Sequence, residues 1–525
     1  MKPMPPDDSR SFPLDQLAHE IYESLARRFP ICLGSDEFHF FPHYRSPDHD
    51  WSTWDDFSPE SVEDVIARIS QWESKLSTLS FDSVNGDFEA ESLGRLLTTL
   101  REQLTWVCSH KIQPTFYLTI ASLGLAEALD AGAGAFARRV AGLPEFLDRA
   151  IANLNRPPDL YRDMGLEMAD RIGRWLAAFP RQSVNCLPVI NALKKFTHGL
   201  MSLKTEAEFL LPPDLYAHMA KYHMDCRASL DEIEDHMSAE IEETEILLDK
   251  ASGDIRPGAS WRRVLGDLKI MAGNYIDPIQ VFEEVIDDLH RHCHAQAFLP
   301  ADFSAGYQVR IEEIPDSMRL VRSDAAFSMP PGHPPGAGIF YILPLAADSG
   351  IPADYRLLAA HETYPGHQLL DTSRWLLPNV VMRSMEFPIF YEGWASFSEE
   401  ILFDTGFFSG SIDHLLMAKR RYWRAQRGLI DLRIHTGNWD LSTSAEYLTE
   451  KGLPPETSRD MVRRYALKPG YQLAYTMGRR RFQDLYACHR RRGGSINSFV
   501  RSVMGSGEAG FEKMEKILNL KEKRH

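Results

Sequence analysis

No run of about 18 consecutive apolar residues occurs in this 525-residue chain, which excludes a membrane-spanning helix from the reading. Cysteine is scarce. Cys32, Cys108, Cys186, Cys226, Cys293 and Cys488 stand apart with no C-x-x-C pair, so the thiols read as reduced and none as a nucleophile. Basic residues are outnumbered, 58 Lys and Arg against 74 Asp and Glu, and the net charge of -16 argues against nucleic acid or an anionic membrane as partner. Met1 to Asp8 is proline-rich and acidic with no apolar core behind it, unlike a secretory signal, so the expected location is the cytoplasm. Internal repeats and low-complexity tracts are missing too, which weakens a solenoid reading. A chain with 44% hydrophobic and 25% charged residues is what a soluble globular protein needs.

What is there reads as helix after helix. Residues 1–12 look like a disordered tail, 13–250 like an N-terminal helical region and 259–525 like a C-terminal one, with the loop from Ala251 to Trp261 between the two parts of one intertwined domain. Residues 30–58 read as a loop whose aromatics, Phe38, Phe40, Phe41, Trp51 and Trp54, pin it to the body. The acidic run Asp231–Glu243 and the basic run Arg479–Arg481 read as solvated faces. His290, His292 and His294 are two apart, about 200° on a helix, and cannot share an ion from regular geometry. Gly338–Leu343 is the best strand candidate. It precedes the motif described next by about twenty residues, so Tyr341 is a candidate substrate contact if this strand is an edge, the alternative being a buried strand of a small sheet.

The chemistry concentrates at His361-Glu362-Thr363-Tyr364-Pro365-Gly366-His367. Two imidazoles can ligate a metal, and a carboxylate beside them can take a proton from attacking water. Histidines six apart point about 240° from each other on an unbroken helix, so they share an ion only if the helix deforms between them, and Pro365-Gly366 lies where that must happen. A second helix is expected over roughly 388–405, from Pro388 at its first turn to Gly406 at its stop. It carries Glu392 and Glu399, seven apart on one face but ~10 Å apart along the axis, so one ion takes only one of them. Glu392 is the expected third ligand, and Glu399 a carboxylate behind it or one that binds a substrate amine.

With Glu392-Gly393-Trp394-Ala395, Trp423-Arg424-x-x-Arg427-x-x-x-Asp431-x-x-x-His435, and Arg464-Tyr465-x-x-x-Pro469-Gly470 followed by Tyr475, the chain resembles the bacterial domain-of-unknown-function family 885, regarded as zinc-peptidase-like. The resemblance implies a mainly α fold, neurolysin-like or gluzincin-like, with a deep interhelical cleft and a small β-sheet near the metal helix. The expected site holds Zn²⁺ on His361, His367 and Glu392, with Glu362 as general base, Tyr475 as a phenol donor to the developing oxyanion, and Arg427 and Arg424 as carboxylate anchors. The substrate expected is a short peptide or amino-acid conjugate cleaved at an amide. Fe²⁺ or Mn²⁺ chemistry on an amino-acid-derived metabolite is the alternative, since two histidines and a carboxylate also describe a non-haem iron site. Two family glutamines are replaced, by Leu370 and Tyr471, with Gln472 one place later. If both face the cleft, the pocket has lost polar recognition groups and should favour a smaller or more apolar substrate.

Overall fold

The computed structural model describes residues 12–80, 84–179, 184–268, 277–300, 303, 309–315, 318–319, 325–343 and 351–519. The tail expected over residues 1–12 lies outside them, save that a helix already begins at Phe12. The fold is mainly α, with one three-stranded sheet. Four long helices form its centre. Leu230–Ile255 packs along Ser411–His435, which packs on Leu473–Arg491, which packs in turn on Pro388–Asp404.

The Leu230–Ile255 helix opens on a capping box in which Ser229 Oγ accepts the Glu232 N–H and the Glu232 carboxylate accepts the Ser229 N–H. It runs on through Gly253, so the loop expected from Ala251 begins only at Arg256. The acidic run on this helix is not simply a solvated face. Glu240 is fully buried and pairs with Arg421 and with Arg479, itself nearly buried and also held by Glu400. A run of one sign reads as solvated unless its opposite charges are known, and here they arrive from helices more than 180 residues along the chain.

The Pro388–Asp404 helix matches the expected span, with Pro388 in its first turn. It meets the Leu473–Arg491 helix at two glycines. A Cβ on Gly393 would stand 2.5 Å from Gly478 Cα, and one on Gly478 would stand 2.0 Å from the Ile389 carbonyl oxygen, so only glycine permits this approach.

The sheet has the order β1 (Val309–Glu313), β3 (Gly338–Ile342), β2 (Ala326–Ser328), with β1 parallel and β2 antiparallel to β3. The expected strand is therefore present, but as the buried centre, paired on both sides. This corrects the edge-strand reading: Gly-Ile-Phe-Tyr-Ile is apolar on both faces, as a doubly covered central strand must be. Residues 30–58 are largely loop, apart from a short helix at Pro30–Gly34, and Phe38, Phe41 and Trp54 are buried.

Candidate metal centre

The helix Tyr355–Glu362 stops directly after the first histidine and glutamate, and a new helix, His367–Trp375, starts on the second histidine. The four residues between form a tight reversal. The Gly366 N–H reaches the Ala360 carbonyl at 3.1 Å and the Leu369 N–H the Thr363 carbonyl at 3.3 Å. A Cβ on Gly366 would lie 1.9 Å from the His361 carbonyl oxygen, so the reversal requires glycine. Trp394 fixes it to the neighbouring helix by donating its indole N–H to the Pro365 carbonyl at 2.9 Å.

The deformation brings His361 and His367 together, with ring centroids 4.8 Å apart. Glu392 Oε2 lies 3.4 Å from His361 Nε2 and 3.6 Å from His367 Nε2, and one ligand atom from each of the three residues falls within 4.8 Å of the others. Donors bound at about 2.0–2.1 Å to one tetrahedral ion are separated by about 3.3 Å, close to these values. Glu392 Oε2 is buried, makes no well-formed hydrogen bond and faces the Nε2 atoms of both imidazoles. The donor set thus fits a zinc-type ion. Burial pushes the Glu392 carboxyl up, but the imidazoles of His361 and His367 outweigh it and hold the group well below the usual carboxylate range.

Behind the three donors stand groups that set their direction. Glu399 Oε1 is 3.0 Å from His361 Nδ1, which leaves Nε2 to face Glu392 when Nδ1 carries the proton. Arg420 and Arg424 both pair with Glu399. Glu399 is wholly buried behind the ligand, where no substrate amine reaches it, which corrects its expected substrate contact. Arg424, expected as a substrate anchor, lines the cavity yet spends two nitrogens on Glu399. On the other side the His367 ring stacks on Tyr391, with centroids 3.9 Å apart and planes 19° apart. Tyr391 donates to Asp371 Oδ2 at 3.1 Å, and Asp371 pairs with the buried Arg374, which also meets Glu386 and Glu508.

The site opens on a cavity of about 930 Å³ lined by His361, Glu362, His367, Glu392, Arg427, Tyr471 and Tyr475 among others. Glu362 sits at its wall, 6% exposed. Arg427 lies over the Tyr475 ring, 4.4 Å from its centroid. Burial, with the Glu392 charge second, raises the Tyr475 hydroxyl above its ordinary value, so it is a proton donor at neutral pH. Tyr471 faces the site as expected and donates to Glu392 Oε1 at 2.8 Å. Leu370 does not: it is fully buried in the core and absent from the cavity wall. Tyr341 is likewise outside the wall, whereas Ala326 and Phe327 of β2 belong to it.

Three contributors escaped the sequence. Asp371 lies four residues after His367, a helical spacing that could have revealed it. Asp431 was noted in a motif, but its task was not: it accepts the Gly470 and Gln472 N–H groups at 2.9 and 3.0 Å and so fixes the turn carrying Tyr471. His39 stacks on Tyr471 from the aromatic loop, a contact no local pattern signals. His290 and His292 diverge, one against the Tyr364 ring and the other onto Thr405 Oγ1.

The family described as bacterial protein of unknown function (DUF885) matches residues 44–518. No curated protein matches the chain. Among solved structures, a candidate lipoprotein of unknown function from Shewanella oneidensis is 15% identical, with a TM-score of 0.71 over 96% of this chain and 98% of that one. A candidate lipoprotein from Colwellia psychrerythraea is 14% identical, with a TM-score of 0.74 over 97% and 98%. At these identities the likeness is one of fold.

Proposed function

We propose that this chain, which belongs to the bacterial family of proteins of unknown function DUF885, is a metal-dependent hydrolase that holds Zn²⁺ on His361, His367 and Glu392 and cleaves an amide in a short peptide or amino-acid conjugate. The observation that carries this reading is the convergence of three buried donors at ligand spacing on the wall of a large cavity, with Glu362 beside them. Bound there, zinc supplies Lewis acidity that polarises a carbonyl and lowers the pKa of water.

The chain's own residues divide the remaining work. Glu362 takes the proton of the attacking water and passes it to the leaving amine. Tyr475 donates its hydroxyl hydrogen to the carbonyl oxygen as charge develops there. Arg427, at the same wall, binds a substrate carboxylate. Glu399 and Arg424 both reach His361 Nδ1, at 3.0 and 3.1 Å, and hold the ring in place, and Tyr471 holds the second oxygen of Glu392. The thiols, all unpaired, support a reducing compartment and hence the cytoplasm.

Elemental analysis of the natively purified protein, followed by a peptide-library cleavage screen, tests the proposal. Zinc at the site and newly formed amino termini are expected. Iron or manganese, with no amide cleaved by the metal-replete protein, would move the reading to chemistry on an amino-acid-derived metabolite.

A further inference from the structure

A second group of donors borders the same cavity through His223. Glu102 Oε2 is 2.9 Å from His218 Nε2 and 2.7 Å from His223 Nε2, and the three atoms meet within the span one ion can bridge. His218 and His223 are five residues apart. On an α-helix that spacing turns them about 140° from each other. They converge because the chain between them is wound as a π-turn, Met219–His223, closed by the Met224 N–H on the Met219 carbonyl at 3.0 Å. Hydrogen bonds from i to i+5 bring residues five apart onto one face.

Glu102 is presented in a matching way. It ends the helix Val84–Glu102, and the next five residues, Gln103–Val107, form a second π-turn, closed by the Cys108 N–H on the Gln103 carbonyl at 2.9 Å with Cys108 left-handed at φ 53°. π-helix accounts for well under about 1% of residues in globular proteins and recurs at functional sites. These two turns are the only ones among the described residues; one ends on His223 and the other starts directly after Glu102. Regular helices would satisfy the backbone better. The unusual winding therefore accompanies the placing of these side chains.

We infer that Glu102, His218 and His223 form a second divalent-metal site of zinc type, which borders the cavity through His223. Two imidazoles and one carboxylate are borderline donors, suited to Zn²⁺ and its late first-row neighbours rather than to Mg²⁺ or Ca²⁺. The His223 and Glu102 side chains are 5% and 9% exposed, while that of His218 is 29% exposed, which leaves a coordination position open towards solvent. The Gln103 side-chain amide lies on the far side of His223, its nitrogen 3.2 Å from Nδ1; ligation through Nε2 places the proton on Nδ1, so the amide must turn its oxygen to that atom to accept it. Without metal the two rings share the Glu102 oxygen by hydrogen bonds. Ligation requires these separations to open by about half an ångström, towards the ~3.3 Å of a tetrahedral pair. Because His223 and Gln103 line the cavity, a cation here adds positive charge to the wall of the compartment that holds the first site.

The test is Zn²⁺ titration of the chelator-stripped full-length protein, read by calorimetry and elemental analysis, with Co²⁺ absorption as a second readout. The wild type should take two equivalents. His218→Ala with His223→Ala should take one, as should His361→Ala with His367→Ala, and the fourfold variant none. Glu102→Gln, which keeps size and hydrogen bonding, should weaken one equivalent at least about tenfold and leave the other unchanged, so the proposal stays testable even if the double alanine variant fails to fold. A wild type that binds one equivalent, lost only on changing His361 and His367, overturns this second site. One equivalent lost only on changing His218 and His223 supports it and instead sinks the proposed hydrolase centre.

Discussion

In the proposed reaction turnover rests on Glu362, which stands beside His361 at the cavity wall without being one of the three converging donors. Glu362→Gln should keep bound metal, by elemental analysis, and lose at least ~10²-fold in kcat, because an amide cannot accept the proton of water. A metal-replete variant with near-normal rate would remove Glu362 from that role. Tyr475→Phe should lower kcat more than it raises KM, as expected of a donor used in the transition state, and steady-state kinetics would show the reverse if the ring only packs. Glu399 acts through position and charge. Its side chain is inaccessible and compensates Arg420 and Arg424, so Glu399→Gln leaves two guanidinium groups short of their carboxylate and should cost about 3–5 kcal/mol in a denaturant titration. Burial favours the neutral acid there, yet Arg420, Arg424 and His361 win and hold the group well below the carboxylate range. A carboxyl depressed in the folded state contributes in full above its unfolded value of about 4.3 and loses that contribution as pH falls through the lower folded one. The wild type should therefore lose stability in acid through that window, and the Gln variant should show a flatter curve there.

Among the elements, the crossing of Pro388–Asp404 with Leu473–Arg491 is the most demanding, since Gly393 directly follows Glu392 and Gly478 comes three residues after Tyr475. Gly393→Ala forces a Cβ against Gly478 backbone and should cost at least about 1–3 kcal/mol, with weaker metal retention because Glu392 moves with its helix. Gly253→Ala is the control. A Cβ there meets nothing within 4 Å, so this helical position should gain roughly 0.5–1 kcal/mol, measured by the same denaturant titration. The Glu392 helix was legible because Pro388 and Gly406 punctuate it, and the strand Gly338–Ile342 because its residues are β-formers. The place of that strand within the sheet was not legible, since centre or edge depends on Val309–Glu313 and Ala326–Ser328, and a three-residue strand leaves almost no pattern. The π-turns were equally hidden, as their residues would pass for ordinary helix.

At the scale of the whole molecule, the cavity of about 930 Å³ has room for a short peptide but not for a folded domain. Cleavage rates across a peptide-length series should fall as the chain outgrows the cavity, and an intact folded protein should survive; efficient digestion of folded protein would contradict a site so enclosed. The residue pattern and the family resemblance foresaw a mainly helical protein, and no helix among the described residues is long and apolar enough to cross a membrane. Composition could not foresee that the sequence halves share their interior, because Glu240 looks like surface until Arg421 and Arg479 are placed against it.

The buried cluster behind His367 adds an order of events. Glu508 accepts the Phe387 N–H at the start of the Glu392 helix and pairs with Arg374, the cation beside Asp371. A ribosome makes the chain from residue 1 upwards, so His361, His367 and Glu392 leave it more than a hundred residues before Glu508 does (392 against 508). Until then Arg374 lacks one of its three carboxylates, and the helix bearing the third ligand lacks its anchor. The nascent protein thus carries the three candidate ligands through the synthesis of more than a hundred further residues before their supporting cluster is complete, which defers full bracing of the proposed centre until Glu508 has been made.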